Sequence, residues 1–140
     1  MYKRILVPLE NSPYDDAILK HIREVARHDG SSLVLIHVAD GFVARNQDLL
    51  NLVDSEEIEK DRAYLSKIEE ELKSEGFEVS ILLAKGEPVP QILNAAEKQG
   101  CDLIAMSTHG HGFLKDFIFG SVAESVRHKT NIPVLLLKAT

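Results

Sequence analysis

The stretch "MSTHGHGFLKDFIFGSVAESV", residues 106–126, brings together groups suited to an anion. Ser107, Thr108, His109, Gly110, His111, Gly112 and Phe113 follow an apolar run, and nine residues separate Gly110 from Gly120-Ser121. Glycines let a backbone approach a ligand closely. Successive N–H groups can form an anion-binding nest. A helix opening near Gly120 would present free N–H groups and a positive dipole end, with the Ser121 hydroxyl beside them. The residues alone fit two readings: a phosphate cradle, or a glycine-rich loop followed by a capped helix. A Walker loop is excluded, because no Gly-Lys-Ser/Thr follows. The dinucleotide fingerprint is excluded too, since Gly110-x-Gly112 lacks a third glycine and follows the fourth predicted strand.

His109 and His111, two apart in a glycine loop, could converge on zinc. Asp116 is the one nearby carboxylate and no cysteine joins them, so two loop histidines are the simpler reading. A magnesium ion carried by a nucleotide needs fewer protein ligands. Hydrolysis needs a positioned water and charge stabilisation. His109, His111 and Asp116 could assist, but no signature lysine or arginine finger accompanies them. Binding with little or no turnover is therefore expected, with no catalytic residue assigned. His37, within a predicted strand, reads as a satisfied core histidine. Cys101 reads as a buried inert thiol.

These residues need a frame. "RILVPL" (4–9), "SSLVLIHVAD" (31–40), "FEVSILLAKG" (77–86), "CDLIAMS" (101–107) and "IPVLLLK" (132–138) are short apolar runs that predict strands. Between them lie helical patterns. Ser12 is a good N-cap, Pro13 suits the first helical position, Asp15 and Asp16 favour the dipole, and Gly30 ends the helix. Ile58, Leu65, Ile68 and Leu72 form a stripe on a long helix. Residues 41–54 lack a clean period. Val89, Ile92, Leu93 and Ala96 face inward on a short helix, and a last helix is predicted to begin near Gly120.

Alternating strands and helices predict a single α/β domain over residues 1–140, with a doubly wound, Rossmann-like, five-stranded parallel sheet in order 3-2-1-4-5. Ligands of such sheets bind beyond the carboxyl ends where the winding reverses. That places "PLENS" (8–12) and "STHGHG" (107–112) at the site. A phosphoacceptor receiver is excluded, because the third strand closes on "LLAKGE" without an aspartate. An adenylating pyrophosphatase is excluded, because "PLENSPYDD" lacks the glycines of that loop.

Composition narrows the class further. A net charge of −6 with no basic run argues against a nucleic-acid surface. A single cysteine excludes an internal disulfide framework, and no apolar segment approaches a membrane span. The expectation is a cytoplasmic protein with no membrane or nucleic-acid partner.

The stretch at 107–121 resembles the nucleotide loop of the universal stress protein family: Gly-x-x-Gly, nine residues, then Gly-Ser or Gly-Thr. "RILVPLENSPYDDAIL", "LVLIHVAD" and "VAESVRHKTNIPVLLLK" extend the resemblance over essentially the whole chain. It implies a stress-response binding or signalling module that takes ATP, or AMP or ADP, with magnesium carried by the nucleotide. It places Pro8, Glu10, Asn11 and Ser12 beside ribose and base, and the Val38 main chain against adenine. Ser107 to Phe113 would wrap ribose and phosphates, while Gly120, Ser121, Val122 and Ala123 meet phosphates at a helix start. It also implies a homodimer through strand 132–138, whose apolar edge would otherwise be bare. The alternatives are a dimeric scaffold that binds no nucleotide and a slow ATP hydrolase. Three positions depart from the binding pattern. Ser107 replaces a glycine, and could crowd the ribose or bond to it. Glu10 replaces an aspartate. Asn11 replaces a glycine, which is tolerable because asparagine accepts positive φ.

Overall fold

The computed structural model describes residues 1–40, 47–109 and 114–139, with side chains described for 1–39, 56–108 and 121–139. Among the described residues the chain forms β1 (Arg4–Pro8), α1 (Asp15–Asp29), β2 (Ser32–Asp40), α2 (Gln47–Ser74), β3 (Val79–Gly86), α3 (Pro88–Lys98), β4 (Leu103–His109), α4 (Leu114–Lys129) and β5 (Val134–Ala139). The strands make one sheet in the order β3-β2-β1-β4-β5. Every pairing is parallel. The α/β expectation, including strand order, holds.

Parallel strands covered on both faces must be apolar on both faces. β1 shows this directly. Ile5 and Val7 join Ile18, Leu19, Ile22, Leu65, Ile68 and Leu72 in a core under α1 and α2. Leu6 joins Ile92, Ala96, Val122 and Val126 in a second core under α3 and α4. Each fully buried aliphatic side chain contributes roughly 2 kcal/mol. The stripe read on the long helix thus faces the sheet, with Leu65, Ile68 and Leu72 buried and Ile58 half-buried. On α3, Ile92, Ala95 and Ala96 are buried, while Val89 and Leu93 pack partly against the same core.

Helix ends follow local chemistry. α1 stops at Gly30, whose φ of 71° is left-handed and whose N–H donates to the Ala26 carbonyl. Glu69 and Lys73 pair across one turn of α2 at 3.2 Å, as their spacing predicts. Several boundaries differ from the sequence reading. α2 begins at Gln47, so residues 47–54 are helical, although no clean period marked them. β4 runs on to His109, so Thr108 and His109 are strand rather than loop. α4 begins at Leu114, so Gly120 lies inside the helix and not at its start. No helix among the described residues is long and apolar enough to cross a membrane.

Candidate functional site

The two ends of the sheet are built differently. At the amino end, β1 and β4 are knitted together: the Asp102 carboxylate accepts the Lys3 and Arg4 N–H groups, and the Asp102 N–H donates to the Arg4 carbonyl at 2.9 Å. Those backbone donors win over burial and hold the Asp102 carboxyl below its ordinary range. At the carboxyl end the same two strands part. β1 pairs with β4 at Ile5↔Leu103 and Leu6↔Ile104. β4 continues beside β5 as far as His109↔Ala139. β1 stays with β2 through Pro8↔Ile36. No ladder bond therefore joins Val7–Pro8 to the second half of β4. Pro8, which has no N–H to give, sits where no ladder bond to β4 is made. This is the reversal of winding at which such sheets receive ligands.

The loop leaving β1 is fixed from beneath by one carboxylate. Asp15 is 1% exposed. Its Oδ1 accepts the Glu10 N–H at 3.0 Å. Its Oδ2 accepts the Asn11 N–H at 2.9 Å, the Ser12 N–H at 3.3 Å and the Tyr64 hydroxyl at 2.7 Å. A buried charge held by this many donors is a positioning device. Burial, and then the bond to Asp15, push the Tyr64 phenol well above its ordinary range. Ionising it would place a second anion against the first.

Ser12 completes the turn. Its hydroxyl donates to Glu10 Oε1 at 2.6 Å and accepts the Tyr14 N–H at 3.2 Å. The Asp15 N–H donates to the Ser12 carbonyl at 3.0 Å. Regular helix starts at Asp15, two residues after the expected first position Pro13. The Asp15 carboxylate reaches back to the Ser12 N–H as in a capping box, while the Ser12 hydroxyl takes the Tyr14 N–H rather than that of Asp15. Asn11 takes φ 62°. The left-handed conformation is thus present where the sequence had traded a glycine for asparagine.

Residues 1–138 match the family model described as the Universal stress protein family. The chain belongs to the universal stress protein family. Universal stress protein MJ0577 of Methanocaldococcus jannaschii is 32% identical over 99% of this chain and 96% of its own length. The solved structure of MJ0577 superposes with a TM-score of 0.88 at 33% identity, covering 100% of this chain and 98% of that one. A universal stress protein from Archaeoglobus fulgidus, solved in complex with dAMP, superposes with a TM-score of 0.72 at 26% identity, covering 98% of each chain.

In this universal stress protein Pro8, Glu10, Asn11 and Ser12 lie at and just beyond the carboxyl end of β1, and Ser107 and Thr108 near the carboxyl end of neighbouring β4. Ser107, at the family's glycine position, is 1% exposed and donates to the Tyr14 carbonyl at 3.3 Å. Its hydroxyl is turned to the residue that precedes α1. Val38 lies beyond the last β1–β2 pair, with Ala84 of β3 in register on its far side. The expected helix-start cradle is corrected. Gly120 to Ala123 lie within α4, where backbone N–H groups are already committed to the helix. Val122 and Ala123 are buried in the second core, which leaves the exposed Ser121 hydroxyl as the polar group of that segment. Gly110, His111, Gly112 and Phe113 lie outside the described residues, and His109 is described by its strand alone. Among the described residues no group of three or more His, Cys, Asp or Glu could hold a metal ion.

Sequence reasoning assigned Asp15 to the helix dipole and missed its grip on the loop. The Ser12-x-x-Asp15 spacing carried that signal. It also missed Tyr64 and Asp61, whose partners lie about fifty residues away in the chain. His37 is satisfied, as expected, but at the site's edge: its Nδ1 meets the Leu9 carbonyl at 2.9 Å. Cys101 is buried, and burial pushes its thiol up and away from the reactive thiolate.

Proposed function

We propose that this universal stress protein binds an adenine nucleotide, ATP in the first instance, in the crevice between β1 and β4. The observation that carries the reading is the parting of these strands after Leu6 and Ile104, with the Glu10–Ser12 loop pinned beside the opening by buried Asp15. The dAMP complex of the Archaeoglobus fulgidus relative supports an adenine nucleotide as the ligand class. Base and ribose lie between Pro8, the Glu10–Ser12 loop and the Val38 main chain. Ser107 and Thr108 contribute backbone at the end of β4, and the segment from His109 to Phe113 wraps the phosphates. At the far end the Ser121 hydroxyl meets the phosphates, with magnesium neutralising their charge. The protein acts by changing state with its nucleotide, as a binding module rather than a turnover enzyme.

β5 is the outer strand of the sheet beside β4, and its Val134, Leu135, Leu136 and Leu137 are only half-buried. A second copy placed along strand 132–138 would cover that edge, so the working unit of the proposal is a homodimer. Calorimetric titration with ATP, AMP and GTP, with and without magnesium, tests the ligand. Sedimentation equilibrium tests the dimer. Saturable heat with adenine nucleotides supports the binding reading, and folded protein that saturates with none of them contradicts it.

A further inference from the structure

The Glu10–Ser12 loop is held from a second side by a contact that burial alone does not require. His37 Nε2 lies 3.1 Å from Asp61 Oδ2, with the two side chains 13% and 17% exposed. Asp61 Oδ1 accepts the Asn11 side-chain N–H at 2.8 Å. His37 Nδ1 lies 2.9 Å from the Leu9 carbonyl oxygen. A carbonyl can only accept, so Nδ1 carries a proton. An ionised Asp61 can only accept as well. A neutral imidazole would then turn a lone pair toward a carboxylate at hydrogen-bonding distance. The contact requires one further proton, held by Nε2 against Asp61.

We propose that His37 and Asp61 form a proton-dependent clasp that ties α2 to the β1–α1 loop and positions it for nucleotide. They are positioning residues: they act through Asn11 and the Leu9 carbonyl and touch no ligand. The proposal rests on the nucleotide reading of the crevice. With the proton present, the imidazolium pairs with Asp61, and Asp61 holds Asn11 in its left-handed turn. As pH rises the ring loses that proton, Nε2 faces the carboxylate as a lone pair, and the clasp opens.

Charge acts in the same direction. Glu10, Asp15 and Asp61 all bond within or onto this loop. A phosphate approaching that cluster is repelled unless a cation is built into it, and the His37 imidazolium supplies one. Ionisable groups on the surrounding elements include Glu57 and Tyr64 on α2, Asp16 on α1 and Lys85 on β3, two residues beyond the Leu83 that pairs with His37. Tyr64 stays neutral through the histidine range. His21 and His28 lie further along α1, the latter against Asp29, so His37 is the imidazole bonded into this loop.

The test uses isotope-labelled, nucleotide-free protein followed by NMR from about pH 5.5 to about pH 8.5, the span in which imidazoles titrate. The expected result is that both His37 ring nitrogens carry protons at the acid end. The Asn11 side-chain amide and Glu10 backbone amide then shift in step with the ring, and Asp61→Asn uncouples them. A ring that titrates while both loop signals stay still would overturn the clasp, as would an unprotonated Nε2 at the acid end. A second arm measures ATP affinity in wild type and His37→Gln, each shown to be folded. The ratio of the two affinities cancels the titration of ATP itself. It falls roughly tenfold from the acid to the alkaline end if the clasp positions the loop. A ratio that does not change with pH refutes the link to binding. ATP that binds neither protein at any pH refutes the nucleotide reading, while the ring and loop signals still decide the clasp.

Discussion

Replacing Asp15 tests how the site is held, because one carboxylate serves four donors. In Asp15→Ala the Glu10 N–H, the Asn11 N–H and the Tyr64 hydroxyl lose bonds of 3.0, 2.9 and 2.7 Å. Each bond to a charged acceptor contributes about 1.5 kcal/mol, for a gross loss of roughly 4 kcal/mol. The Ser12 bond, at 3.3 Å, adds little. Glu10, Ser12 and Tyr64 are only half-buried, so water replaces part of what is lost. A net cost of about 3 kcal/mol follows, with a deletion of this size depending strongly on how far water enters. Urea unfolding reads it. With a slope of roughly 1.5 kcal/mol per molar, the midpoint falls by about 2 M. Asp15→Asn is milder. Its amide oxygen, placed where Oδ2 stands, keeps the Asn11 and Tyr64 bonds, while its amide nitrogen meets the Glu10 N–H. That variant loses about 1 M. A midpoint for Asp15→Ala within about 0.3 M of wild type, or Asp15→Asn less stable than Asp15→Ala, would refute the claim that this carboxylate organises the loop.

Other perturbations separate backbone, charge and ligand effects. Asn11→Ala keeps a Cβ at φ 62° without the asparagine amide that eases that conformation, and deletes the bond to Asp61, so it costs about 2 kcal/mol, whereas Asn11→Gly costs less than half of that; equal urea midpoints for the two would show that the left-handed turn carries no strain. Asp29 is held at about 2, first by the His28 side chain and then by the Tyr2 N–H, against 3.8 for an unperturbed carboxyl. Its folded value is lowered, so its contribution is complete above the unfolded value and is lost as pH falls from about 4 toward about 2. Asp29→Asn should lack that portion of the acid dependence in urea midpoints measured across this window, and an unchanged profile would contradict the assignment. Ser121→Ala should weaken ATP roughly tenfold and leave AMP unchanged in calorimetry, because the hydroxyl lies toward the outer phosphates in the proposed pose; equal losses for ATP and AMP would move Ser121 away from them.

The sheet was legible because its information is local. "RILVPL", "SSLVLIHVAD" and "IPVLLLK" announce buried parallel strands by apolar run length, and the alternation with helices then leaves few topologies. The crevice followed from topology alone. What stayed hidden was set by distant partners or by competing local signals. Ser107 looked like an intrusion on the ligand, because its position says nothing about the Tyr14 carbonyl that takes its proton. Asp61 and Tyr64 sit on α2 among other polar residues, and only the packing of that helix onto β2 and β3 brings them to the loop. Gly120-Ser121 looked like a helix start, since glycine lowers helix propensity, yet the helix runs through it from Leu114. Residues 47–54 failed the periodicity test for the opposite reason: their leucines cluster without a stripe, and the helix that contains them is long enough to carry them.

The central claim is that the opening between β1 and β4 is an adenine-nucleotide site. The direct measurement is a calorimetric titration of folded, nucleotide-free protein with ATP in magnesium, repeated with GTP, while amide signals of Glu10, Asn11, Ser12, Val38 and Thr108 are followed by NMR. The account predicts saturable ATP binding at one site per chain, weaker GTP binding, and shifts concentrated at those residues. No saturation with ATP, or saturation with shifts that avoid the carboxyl ends of β1 and β4, would contradict it.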